Sequence, residues 1–171
     1  MRQYVLSILV EDNPGVLTRV TGLFSRRGYN IQSLTVGPSQ EEGISRITIE
    51  VYGDEYVLEQ IKKQLAKLVE VTSITELKQG ASVYRELLLV KVAANDSNRG
   101  TIVEIGNVFR AKVVDICHES IIMEITGEPS KNNAFLDLLS YYGIKEIART
   151  GMTGLERGAV ELKRHGKKDK L

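Results

Sequence analysis

The sequence predicts an α+β fold of two tandem ferredoxin-like βαββαβ domains, each an antiparallel sheet with its helices on one face. Three observations carry this. Segments that alternate every second residue are interleaved with one-sided helical stripes, in the order β-α-β-β-α-β. The same order occurs twice, corresponding elements lying roughly 80 residues apart, about one small domain. Between the two runs lies Lys78-Gln79-Gly80-Ala81-Ser82, a polar stretch with no periodicity. The boundaries expected are a first domain over 1–78, a linker over 79–83, a second domain over 84–158, and a basic mobile tail over 159–171.

Residues 4–10 read as the first strand, apolar at Tyr4, Leu6, Ile8 and Val10, with Val5 and Leu9 adding apolar surface to its other side. A turn through Glu11-Asp12-Asn13-Pro14-Gly15 follows. Asn13 is placed as the N-cap of the next helix and Pro14 at its first position, where a missing N–H costs nothing. The helix stripe is Val16, Leu17, Val20, Leu23 and Phe24, and Gly28 stands where a helix C′ residue belongs. Residues 31–36 and 44–51 are strands around a polar loop. In the second of these, Ile47, Ile49 and Val51 alternate with Arg46, Thr48 and Glu50, which are expected to face solvent. Asp54 caps a helix with the stripe Val57, Leu58, Ile61, Leu65 and Leu68, and 71–77 is the fourth strand.

The second run begins with a strand over 86–93. A helix over 98–109 turns Ile102, Ile105, Val108 and Phe109 inward. Residues 112–118 and 121–126 form a hairpin around Glu119-Ser120. A helix over 132–142 carries Phe135, Leu138, Leu139 and Tyr142, and 145–149 is a short last strand. Gly151, Gly154 and Gly158 read as a flexible closing turn. A sheet with helices on one side leaves the other open, and Val5, Leu9 and Leu34 or its strand neighbours are assigned to that open face, which points to a homo-oligomer.

Composition narrows the function. A net charge of +1 over 171 residues argues against a polyanion-binding surface, and the basic character is concentrated in 161–171. The single cysteine excludes an internal disulfide and fits a reducing compartment; with no signal or transit pattern and no apolar run of membrane length, a cytoplasmic location is expected. Catalytic constellations are absent. Cys117 and His118 are adjacent on a predicted strand and so point to opposite faces, and Cys117 is assigned to the core. Two His and one Cys at no ligand spacing exclude a zinc or iron site. RNA binding on such a sheet needs stacking aromatics, which the strands facing solvent lack.

The turn over 11–15 is the candidate site. Helix N–H groups at Gly15–Leu17, with no side chain at Gly15, can hold a small carboxylate, and Asp12 can accept from an ammonium. Asn30 at the start of the next strand adds a polar group, and Val16, Leu17 and Ile31 offer a wall sized for a branched aliphatic side chain. An amino-acid sensor serving another enzyme or a transcription complex, and an RNA-binding tandem module, are the other classes these residues leave open.

Glu11-Asp12-Asn13-Pro14-Gly15-Val16-Leu17 followed by Arg26-Arg27-Gly28-Tyr29-Asn30-Ile31 resembles the ACT domain, a βαββαβ module that binds amino acids at dimer interfaces. The longer string from Gly22 to Val36, with Leu58-Glu59-Gln60-Ile61, Arg85-Glu86-Leu87-Leu88, Ala134-Phe135-Leu136, Ala148-Arg149-Thr150-Gly151 and Arg157-Gly158, resembles the regulatory (small) subunits of acetolactate synthase. The resemblance implies a chain with no synthase activity of its own. It implies a homodimer through ACT domains, and a catalytic (large) subunit as partner that carries thiamine diphosphate, Mg²⁺ and FAD. It further implies feedback inhibition by valine, bound by Asp12, Asn13, Gly15, Val16 and Leu17 of one copy and Asn30 and Ile31 of the other. Neither nucleic acid nor membrane is implied as a partner. Related ACT sequences often carry Asn where Asp12 stands, a departure that bears on effector affinity.

Overall fold

The computed structural model describes residues 2–164; the remainder of the expected mobile tail, His165 included, lies outside the described residues. The chain forms two compact units. One holds the residues up to Val83 together with those from Met152 onward, and the other is Tyr84–Gly151. Each is a split βαβ sandwich, and the second unit ends at Gly151 rather than at 158.

In the first unit β1 (Arg2–Glu11), α1 (Val16–Arg26), β2 (Ile31–Pro38), β3 (Ile44–Gly53), α2 (Glu55–Leu65) and β4 (Val71–Leu77) follow the expected order. The sheet order is β2-β3-β1-β4, all antiparallel, so β2 and β4 are the edges. The core forms where the apolar side of the sheet meets the two helix stripes. Leu6, Ile8, Ile47 and Ile49 pack against Val20, Phe24, Ile61 and Leu65, all fully buried, each worth roughly 1.5–3 kcal/mol. Asp54 caps α2, its Oδ1 accepting from the Val57 N–H at 2.8 Å. Past the end of α1, Gly28 takes φ +69°, and the Tyr29 and Gly28 N–H groups close back onto Phe24 and Ser25 carbonyls in a Schellman arrangement.

The face away from these helices is not open. Val5, Ser7, Leu9, Thr48 and Glu50 are buried, and Arg46 is half-buried. Leu34 lies opposite Ile49 and packs into the helix-side core, so of the two alternatives its strand neighbours Ser33 and Thr35 take the far face. Residues 152–162 supply part of the cover. Buried Met152 donates its N–H to Ser33 Oγ at 3.2 Å, and its carbonyl accepts from Thr35 Oγ1 at 2.9 Å. The closing turn expected around Gly154 is a strand, β9 (Thr153–Glu156), which pairs with β5 (Ser82–Ala93), a strand whose first two residues belong to this unit. Alternation in the chain marks the less apolar side of a strand; it does not mark what covers that side. Of the expected tail, Lys163 pairs with Glu161 at 3.1 Å and Arg164 with Glu11 at 3.7 Å.

The second unit repeats the plan with β5, α3 (Arg99–Phe109), β6 (Lys112–Ile116), β7 (Ser120–Gly127), α4 (Pro129–Ser140) and β8 (Ile144–Arg149) in sheet order β6-β7-β5-β8. Leu88, Val90, Ile102, Ile121, Phe135 and Leu139 form its core. Two stripe positions are misplaced by simple periodicity. Val108 is 79% exposed, and Gly106 takes the inward place because Met123 Sδ fills the space a side chain would need. Leu138 also points outward. The helix α4 starts three residues early because Pro129 occupies its first turn. Buried Glu86 is held by Asn132 Nδ2 and Arg149 Nη2, each at 3.0 Å.

Candidate functional site

The start of α1 differs from the expected geometry in one informative way. Asn13 is not its cap: the Asn13 amide donates to Glu11 Oε2 at 3.2 Å, and the N-cap position falls on Gly15, in the left-handed conformation at φ +84° with no side-chain cap. Pro14 therefore lies in the turn and not in the helix. A left-handed cap is rarely adopted by residues with a Cβ, so glycine is required here for backbone reasons as well as for access. The space a Cβ would enter is open, with nothing within 4 Å.

Backbone bonds then decide which donors are free. The Asp12 N–H is given to the Gly43 carbonyl at 2.8 Å and the Val16 N–H to the Asn13 carbonyl at 3.3 Å. Among the described residues no backbone acceptor meets the N–H groups of Gly15, Leu17 and Thr18. The free set is thus Gly15, Leu17 and Thr18, with Thr18 missed and Val16 wrongly included by reasoning from sequence. Leu17 is 39% exposed beside these donors, whereas Val16 is buried in the core and contributes no wall. Asp12 and Asn13 are exposed at the same end. Arg19, one turn on, is tied to Glu70 in an ion pair, leaving the first turn without a cation of its own.

Asn30 and Ile31 are not there. Ile31 lies opposite Val51, while Glu11 lies opposite Ile44, so the two groups sit at opposite ends of the sheet. Seven strand residues at about 3.4 Å each put them roughly 24 Å apart. Within one chain the seven candidate residues form two separate clusters, because α1 runs the whole length of the sheet between them.

The remaining candidates resolve simply. Cys117 is exposed rather than in the core, and its Sγ lies 3.2 Å from Ser120 Oγ. That hydrogen bond holds the thiol below the ordinary cysteine value. Arg46, Thr48 and Glu50 are not solvent-facing, so they form no exposed platform. Among the described residues no group of three or more His, Cys, Asp or Glu could hold a metal ion, and no helix is long and apolar enough to cross a membrane.

Both units match known families. Residues 6–73 match the ACT domain of the acetohydroxyacid synthase small-subunit type, and residues 85–158 match the family described as the small subunit of acetolactate synthase. A probable acetolactate synthase small subunit from Archaeoglobus fulgidus is 51% identical over 156 residues, covering 91% of this chain and 98% of that one. The acetolactate synthase small subunit of Mycolicibacterium smegmatis is 53% identical over 155 residues, covering 91% of each. The chain belongs to the acetolactate synthase small-subunit family. A crystal structure of the acetolactate synthase small subunit from Thermotoga maritima superposes with a TM-score of 0.87 at 43% identity, over 94% of this chain and all of that one. Membership of the small-subunit family assigns the bare helix start to an ACT domain and gives the chain a regulatory role in the synthase.

Proposed function

We propose that this chain is the non-catalytic regulatory subunit of an acetolactate synthase: it binds and activates the catalytic subunit and confers feedback inhibition by valine. The observation that carries the effector reading is the left-handed Gly15 cap, which leaves three N–H groups at a helix start without a backbone acceptor, beside the open space at Gly15. Such a start favours a carboxylate through both its dipole and its unsatisfied donors. Asp12, whose carboxylate has no partner among the described residues, accepts from the ammonium, Asn13 borders the carboxylate, and Leu17 lies against the side chain.

Asn30 and Ile31 enter from a second copy. β2 is an edge strand running parallel in sense to β1. Pairing two β2 edges antiparallel about a two-fold brings the start of one β2 beside the Pro38 end of the other. That end adjoins the Glu11–Gly15 turn, since the Asp12 N–H already bonds the β2–β3 loop at Gly43. The homodimer thereby completes a site that either chain alone leaves open on one side.

Thiamine diphosphate, Mg²⁺ and FAD belong to the catalytic partner, which supplies the condensation of two 2-oxo acids. The small subunit acts by linkage. Valine favours one arrangement of the dimer, the catalytic subunit favours the other, and a coupling of about 1–3 kcal/mol changes activity severalfold to about a hundredfold. The test is calorimetric titration of valine, leucine and isoleucine into the full chain, alone and with the catalytic subunit, beside a synthase assay. Saturable binding of valine that lowers activity of the complex is expected. Failure to bind the catalytic subunit, or valine inhibition that is unchanged when this chain is omitted, overturns the reading.

A further inference from the structure

The first unit holds a cavity on the face of its sheet away from α1. It has a volume of about 410 Å³ and lies between Arg46, Thr75 and Leu77 on the sheet and the segment 155–162 that crosses it. Two charges border it without meeting a counter-charge. Arg46 donates from Nη1 to buried Ser7 Oγ at 2.7 Å, and no carboxylate among the described residues lies within 4 Å of it. Glu156 likewise has no cation within 4 Å among the described residues. The remaining carboxylate on the cavity, Glu161, is already paired with Lys163. Burial pushes the Arg46 guanidinium down from its ordinary value, the direction expected of a cation short of a counter-ion. Aliphatic side chains also line it: Leu77, Leu155, Val160 and Leu162.

A half-buried guanidinium and a carboxylate that are not paired with one another, on one cavity with aliphatic side chains beside them, offer a partner for each charged group on the α-carbon of an amino acid and apolar surface for its side chain. We propose that this cavity is a second binding site for an aliphatic α-amino acid. Its carboxylate is held by Arg46, its ammonium faces Glu156, and its side chain lies against Leu77 and Leu162. A planar guanidinium suits a carboxylate through paired N–H donors, which a lysine would not reproduce. Because the far wall is the segment 155–162, occupancy also ties down the stretch that covers the sheet. The inference stands on this cavity and not on the helix start.

The chain contains no Trp, so Leu155→Trp places a single fluorescent reporter at the rim of the cavity. Titration of the full-length variant with L-leucine and L-isoleucine should give a saturable emission change. Adding Arg46→Gln should weaken that binding at least tenfold, and Glu156→Gln, a near-isosteric change that removes the charge, severalfold. The corresponding 2-oxo acid, which lacks the ammonium, should bind at least tenfold more weakly. Circular dichroism establishes that each variant is folded. No saturable change in either Leu155→Trp or Val160→Trp overturns the proposal. So does equal affinity in the Arg46→Gln and Glu156→Gln variants, and so does a 2-oxo acid that binds as tightly. Repeating the titration with Gly15→Asp separates the two sites. A signal that survives Gly15→Asp belongs to this cavity; a signal abolished by Gly15→Asp and untouched by Arg46→Gln overturns this proposal and leaves the helix-start site standing.

Discussion

At the scale of single residues, Gly15 does two things that separate variants can tell apart. Its left-handed backbone makes any side chain costly, so Gly15→Ala should lower stability by about 1–2 kcal/mol while the open donors persist. Gly15→Asp carries the same backbone strain and adds a carboxylate where the effector's own must sit. Urea unfolding of both, with valine calorimetry, should show similar stability losses but valine binding only in the alanine variant. Cys117 offers a second residue-scale expectation. Its thiol is held below the ordinary value chiefly by Ser120, so more of it is thiolate at mildly alkaline pH. The rate of alkylation against pH should therefore rise at lower pH than for a free cysteine, and Ser120→Ala should move the inflection upward.

At the scale of elements, local chemistry explains most of what forms. The Asp54 cap on α2 satisfies an N–H that would otherwise be unpaired, and Asp54→Ala should cost about 1 kcal/mol in a denaturant titration. Helix α4 is held by a tertiary bond instead. Its fully buried Asn132 donates to Glu86, whose carboxylate also meets Arg149. Arg149→Met leaves that buried carboxylate with a neutral partner only. Because the arginine side chain is about one-third exposed, the loss is discounted from that of a dry pair to about 2 kcal/mol, readable as a lower urea midpoint. The start of α1 shows where local rules fall short. Asn13 and Pro14 are both good helix starters, yet the N–H of Asp12 is drawn to Gly43 across the sheet, and the chain reaches helical geometry only after Gly15.

At the scale of the whole molecule, the segment after Gly151 is the feature that sequence patterning misread. It has little periodicity and carries like charges, which reads as a solvated end, yet Met152 is buried and anchored to Ser33 and Thr35. Met152→Ala should cost about 2–4 kcal/mol through lost burial and a residual cavity, measured by chemical denaturation. Removal of all residues after Gly151 should uncover Val5, Leu9 and Leu77, and the shortened chain should aggregate at concentrations where the full chain does not.

The sequence by itself determined the element order, the twofold repeat of that order, the helix-side core and the glycine-bearing turn that precedes α1, because periodicity, caps and turn residues act over a few positions. Tertiary structure alone decided three things. Strand register placed Asn30 and Ile31 at the far end of the sheet from Asp12–Leu17, so no single chain brings the seven candidate residues together. A bond across the sheet moved the helix cap from Asn13 to Gly15 and so chose which N–H groups are free. Cover on the face away from the helices came in part from a segment more than a hundred residues away, with Met152 bonded to Ser33 and Thr35. Contacts of that sequence separation leave no trace in local pattern, since either partner alone reads as an ordinary polar or irregular stretch.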